Sequence, residues 1–275
     1  MRIVTLIENT QGAHKGLKTE HGLSFFIEYK NRYLLFDTGA SGAFLQNAAK
    51  LQLPLEKVEY VFLSHGHYDH SGGIRNFVEA GYKVPLCLGK GFFTPKYAFE
   101  KGVYEYVGND FDPSYLEKHK IPYREMLSPI EEILPDVYVI TQFVRKHKDE
   151  KQNPRFTLYR QGKFEQDLFE DEILLVLDTP KGLIVLLGCS HPGFKNMVDT
   201  VRQRLQKPVY ALLGGTHLVE ASSQALDLSF SYLQKGEIQQ VGCCHCTGEK
   251  ALNLFSNKLA NFFPNKTGSM FYLEE

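Results

Sequence analysis

The most restrictive stretch of this 275-residue chain is an apolar run, Val58–Leu63, that passes without a break into Ser64-His65-Gly66-His67-Tyr68-Asp69-His70. Six residues of this composition read as a buried strand, which delivers the next residues to the edge of a sheet. Those residues include three histidines within six positions, with a carboxylate among them. On an extended backbone His65, His67 and Asp69 point to one side. Gly66 lets the chain bend so that His70 also turns inward. Imidazole and carboxylate together suit zinc, manganese or iron, with zinc favoured for its availability and borderline softness. A polar loop after a buried strand would explain one such histidine, but it explains the cluster poorly.

The same arrangement recurs later in the chain. Leu183–Leu187 ends at Gly188-Cys189-Ser190-His191, Val209–Leu213 ends at Gly214-Gly215-Thr216-His217, and Gln239–Val241 ends at Gly242-Cys243-Cys244-His245. Earlier, Arg2–Ile7, Leu23–Tyr29 and Tyr33–Phe36 read as strands, the last two joined by a hairpin over Lys30-Asn31-Arg32. Helices are expected after Ser41, over residues 74–80, 194–205 and 223–234, and near the C-terminus. Residues 90–170 hold six prolines and many aromatics, and predict hairpins and loops, with Val137–Phe143 the clearest strand. Strands in pairs followed by strand–loop–helix units make this an α/β protein of mixed sheets with helices outside them.

Composition removes several function classes. A formal net charge of −1 gives no global reason for nucleic-acid binding, so a small-molecule substrate is the expected partner. No stretch approaches the roughly 18–20 apolar residues that span a bilayer. The run at Met1–Ile7 is too short for a signal-peptide core, so a cytoplasmic setting is expected. Five cysteines, three of them clustered, favour metal or redox chemistry over a disulfide framework. The sequence does not address oligomeric state.

Ser64-His65-Gly66-His67-Tyr68-Asp69-His70-Ser71-Gly72-Gly73 resembles the metal motif of the metallo-β-lactamase superfamily, and Asp37 in Phe36-Asp37-Thr38-Gly39 is similar to its early strand-end aspartate. Glu20-His21-Gly22-Leu23-Ser24, Gly188-Cys189-Ser190-His191-Pro192-Gly193, Gly214-Gly215-Thr216-His217-Leu218 and Cys244-His245-Cys246-Thr247-Gly248 resemble a subgroup named after a dihydropterin–aminobenzene-ribofuranosyl-phosphate synthase. The resemblance implies one αββα-sandwich domain over residues 1–275. It also implies that His65 and His67 hold one metal, that Asp69 and His70 hold a second, and that Asp37 orients the ligand loop.

Other assignments stay open. His191 and His245 each come directly after a strand and are expected as ligands. Cys189 stands where many members carry a bridging aspartate, and reads either as a thiolate ligand or as a small buried residue. His217 reads as a ligand, a substrate contact or a general acid. His21 has a pocket role or is exposed, and His14, His119 and His147 are expected at the surface. The run Arg145–Lys151 is a solvated loop or gathers an anionic substrate. Gly72-Gly73 and Gly214-Gly215 are expected to leave room for substrate. The expected function is a hydrolase in which one or two zinc ions (or manganese or iron) activate water, with Asp69 and His217 as the catalytic side chains. Phosphodiesters are the leading substrate class. A metal-assisted condensing enzyme of pterin synthesis and a metal-binding sensor with little turnover are the alternatives.

Overall fold

A computed structural model describes residues 1–274, in two compact units. The first comprises residues 1–127, 152–171 and 266–274; the second comprises residues 128–151 and 172–265.

The first unit holds a seven-stranded sheet in the order Met270–Tyr272, Arg2–Ile7, Ser24–Tyr29, Arg32–Phe36, Val58–Leu63, Leu86–Gly89, Tyr123–Met126. Its first four strands pair antiparallel, and the rest are added parallel. Helices Ala43–Lys50 and Ile74–Glu79 supply Phe44 and Phe77, whose rings lie 5.9 Å apart in a core with Phe26, Leu35, Val61 and Leu63. Each such side chain contributes about 1.5–3 kcal/mol when fully buried.

The expected loop-rich middle holds more regular structure than its prolines suggested. Asp112 caps a helix over Pro113–His119 by accepting from the Tyr115 N–H at 2.9 Å, with the proline at the first helical position, where its missing N–H does no harm. Lys163–Gln166, Phe156–Arg160, Lys96–Glu100 and Val103–Tyr106 form a second, four-stranded sheet in the same unit. Among its described residues that sheet buries only Lys96, Ala98, Phe156 and Leu158, with Phe169 against it. Its outer face is held by ring contacts, among them Tyr104 stacked on Phe164 at 3.6 Å.

The second unit is a six-stranded sheet in the order Gln240–Cys244, Val209–Gly215, Gly182–Leu187, Leu174–Thr179, Val137–Ile140, Ile130–Leu134. The first three run parallel and the rest are antiparallel. The α-helices of this unit among the described residues are Phe194–Leu205, Ser223–Lys235 and Glu249–Lys258. They place Met197, Val201, Leu233 and Phe255 in its core.

In the seven-stranded and the six-stranded sheet the parallel strands end along one edge, the usual place for ligand-binding loops in α/β proteins. In the first unit that edge carries Asp37 and the His65 loop. In the second it carries Cys189, His217 and His245.

Candidate metal centre

In the first unit His65, His67, Asp69 and His70 are all buried. The imidazole rings of His65 and His67 lie 4.6 Å apart, and those of His65 and His70 lie 4.4 Å apart. His65 Nε2 is 3.0 Å from His67 Nδ1. Two imidazoles on one tetrahedral zinc at about 2.0–2.1 Å would have nitrogens about 3.3 Å apart, so this pair fits a shared ion. Burial, reinforced by His70 and His67, holds His65 well below the usual histidine pKa. A neutral imidazole is the form that binds metal.

Asp69 and His70 reach the cluster differently from the extended strip expected. Tyr68–Ser71 is one helical turn, started at His67 by an extended residue. A helix advances about 100° per residue, so the neighbours Asp69 and His70 diverge less than strand neighbours would. His70 Nε2 lies 3.7 Å from Asp69 Oδ2. His21, with its side chain 59% exposed, still brings Nε2 to 3.2 Å from Asp69 Oδ2, so an exposed ring lies beside the cluster.

Asp37 sits behind this loop and is completely buried. Its Oδ1 accepts from the Ser64 N–H at 2.7 Å; its Oδ2 accepts from the Ser64 hydroxyl at 2.8 Å and lies 2.6 Å from His70 Nδ1. Burial pushes the Asp37 carboxyl up while His70 and Ser64 pull it down. Asp37 also has φ of +60°, a conformation aspartate and asparagine tolerate better than most residues. Asp37→Asn should therefore keep the fold but supply one acceptor where the carboxylate supplies two. The expected result is metal affinity weaker by about 10–100-fold, read by chelator competition.

In the second unit Cys189 Sγ lies 3.4 Å from His245 Nε2, and Cys189 and His191 have donor atoms within 4.8 Å of each other. A thiolate and an imidazole on one tetrahedral zinc would be about 3.6 Å apart, so the Cys189–His245 pair fits too. The His217 ring packs at a tilt against that of His191, with centroids 4.4 Å apart. Of the neighbouring cysteines, Cys243 is raised well above the usual thiol range by burial and by Cys246, which makes it an inert packing residue. Ser190, His217 and His245 all have φ between +48° and +65°. Such backbone conformations cost of order 1–3 kcal/mol and cluster at functional sites.

The glycines at these edges make no room for substrate. A Cβ at Gly72 or Gly73 would stand 2.5 Å from the carbonyl oxygen of Ala40 or Thr38, and one at Gly214 would stand 2.0 Å from that of Leu187. Close backbone packing fills the space. The Arg145–Lys151 run is likewise not a free loop. Lys146 and His147 donate their N–H groups to Asn196, and His147 Nε2 lies 2.8 Å from Asp199, so His147 is half-buried. Glu150 accepts from the N–H groups of Lys195 and Asn196 at 2.9 Å, capping the helix Phe194–Leu205.

Burial pushes the Glu150 carboxyl up from 4.5 to about 7, against those N–H groups and the Lys195 charge. The folded state then holds this proton more tightly than the unfolded chain. The stabilisation is complete below pH 4.5 and is lost as pH rises through 7. Glu150→Gln should remove that slope, worth about 3 kcal/mol, and narrow the gap between melting temperatures at pH 5 and pH 7.5.

Residues 17–156 match the model of the metallo-β-lactamase superfamily. The chain belongs to that superfamily. A Methanocaldococcus jannaschii protein, 7,8-dihydropterin-6-methyl-4-(β-D-ribofuranosyl)-aminobenzene-5'-phosphate synthase, is 30% identical, covering 96% of this chain and 93% of its own. MJ0448 of the same archaeon, a protein described as uncharacterized, is 32% identical over 98% of both chains. Tm1679, described as a metal-dependent hydrolase of the β-lactamase superfamily, matches in structure over 100% of both chains with a TM-score of 0.86 and 29% identity. The fold is thus the metallo-β-lactamase fold.

Three buried charged residues beside the candidate loops were missed in the sequence: Asp171 accepts from the Gly66 N–H and from Lys96, and Glu172 accepts from the Ser190 and His191 N–H groups. The available signal was acidic: Asp171-Glu172 stands directly before the apolar strand residues 173–177, where a charge must be buried and satisfied.

Proposed function

We propose that this protein is a metal-dependent hydrolase acting on a small, anionic phosphate ester, with phosphodiesters the leading class. The observation that carries the reading is the buried His65–His67–Asp69–His70 cluster, with an imidazole held neutral and Asp37 fixed behind it. In this reading His65, His67, Asp69, His70, Cys189, His191 and His245 are the metal ligands. Residues 1–275 are proposed to work as one domain. Zinc is the proposed ion, because thiol and imidazole donors together favour it over manganese or iron.

When bound, such an ion lowers the pKa of a coordinated water to about 7 and polarises a phosphoryl oxygen. The chain's own contribution is orientation. Asp37 fixes the rotation of His70 through Nδ1 and ties Ser64 to the same carboxylate. Asp69 keeps an oxygen directed at His21, so a proton can pass between this carboxylate and an imidazole that reaches solvent. His217, beside His191 and only half-buried, is proposed to meet the substrate.

A second reading is supported by the 30% identity to the pterin-pathway synthase over nearly the full chain. There the metals would stabilise a leaving diphosphate during condensation of a pterin diphosphate with an aromatic ribosyl phosphate. Both readings place a phosphorylated small molecule at the same residues. A screen of metal-loaded protein against phosphodiesters, lactones and thioesters, beside a diphosphate-release assay with the condensation pair, separates them. Phosphodiester turnover lost in His67→Ala supports the first, and diphosphate release alone supports the second. Equal turnover in wild type and His67→Ala would sink both.

A further inference from the structure

We propose that Asp171 and Glu172 are positioning residues for the metal-ligand loops, each carboxylate gripping the backbone of one loop. The inference rests on the metal reading proposed for this protein. Both side chains are buried. Asp171 Oδ2 accepts from the N–H of Gly66, the residue between His65 and His67, at 2.8 Å. Its other oxygen accepts from Lys96 Nζ at 2.9 Å. Glu172, the next residue, accepts from the Ser190 N–H at 2.6 Å through Oε1 and from the His191 N–H at 3.0 Å through Oε2. Ser190 is the left-handed residue between Cys189 and His191. Each carboxylate therefore uses both its oxygens, and at least one holds an N–H inside a run of candidate ligands.

The grip around Asp171 extends further. Lys96 Nζ also binds Asp167 Oδ2 at 2.6 Å, and Asp167 Oδ1 accepts from the Phe169 N–H at 2.7 Å. The Phe169 ring lies 5.5 Å from that of His67 and 6.2 Å from that of His65. Gly66 fits because a Cβ there would stand 2.5 Å from the Phe92 carbonyl oxygen. Residues 167–171 thus hold the loop by its backbone and by its two imidazole faces. These groups act through the candidate ligands, as partners of metal-binding side chains do.

Isosteric amides test this. An amide offers one acceptor oxygen and turns the other position into a donor, which would then face an N–H or an ammonium. Chelator-competition titration of the metal-free full-length protein with Co²⁺ should show Asp171→Asn and Glu172→Gln binding about 10–100-fold more weakly than wild type. Val61→Ala and Val198→Ala, core truncations that lower the melting temperature of the metal-free protein, should bind within about threefold of wild type. If an amide variant does not fold, Asp171→Glu or Glu172→Asp takes its place with the same expected loss. Co²⁺ affinities unchanged in the amide variants, or lowered no more than in the core controls, would overturn the positioning role while leaving the metal reading intact. A wild-type protein that binds no Co²⁺ would overturn the metal reading, and this inference with it.

Discussion

His67→Ala protein, purified beside wild type without chelators, should carry at least one metal ion per chain fewer and lose about 1000-fold or more in turnover. The size reflects what a bound ion does: Lewis-acid stabilisation of developing charge amounts to several kcal/mol, and each 1.4 kcal/mol is a factor of ten. His67 is chosen because its ring is packed by Phe156 at 5.3 Å and Phe169 at 5.5 Å, so the loop around it has support when the imidazole is gone. Elemental analysis gives the metal count and the phosphodiester screen gives the rate. Loss of turnover with full metal content would mean that His67 touches substrate rather than metal. Wild-type protein that stays metal-free after reconstitution would remove the basis for the hydrolase reading.

Lys96→Met should be the most destabilising single change outside the apolar cores, at about 3–5 kcal/mol, with a melting temperature lower by about 10 °C. Lys96 is buried with Asp167 and Asp171, its ammonium within 2.9 Å of both. Burial alone would depress its pKa, but the two aspartates hold it above the usual lysine range. Methionine matches the stem and leaves two carboxylates facing one another in an apolar surround. In the Asp167→Asn/Asp171→Asn background the same substitution should cost much less, because no charge is then stranded. Thermal melts of the four proteins give the coupling directly. Equal losses in both backgrounds would show that Lys96 acts through its hydrocarbon stem alone.

Much of the architecture was legible because its causes are local. Arg2–Ile7, Val58–Leu63 and Phe194–Leu205 have the ends that periodicity and composition predict. The hairpin at residues 30–32 lies where a polar break interrupts apolar runs. The residues proposed as ligands were chosen on the same local ground, since each follows a strand that must be buried. Residues whose roles depend on distant partners were not legible. Asp171 looks like any acidic residue until Gly66, 105 positions away, donates to it. Val103–Tyr106 has all four residues exposed and is a strand only because Lys96–Glu100 lies beside it. The Gly72-Gly73 and Gly214-Gly215 pairs were misread because sequence shows the missing side chain but not the carbonyl oxygen that fills its place.

The left-handed backbone at Asp37, Ser190, His217 and His245 also limits how this protein can drift or be redesigned. Aspartate, asparagine, histidine and glycine are the residues that adopt such a conformation at low cost, whereas valine, isoleucine and threonine resist it. Exchanges among the first group keep the chain path and change the donor atom, or with glycine remove it. A library built to alter metal preference can therefore be confined to Asp, Asn, His and Gly at positions 37, 217 and 245. That is 64 combinations, few enough to assay one by one, and backbone geometry rather than metal chemistry sets the boundary.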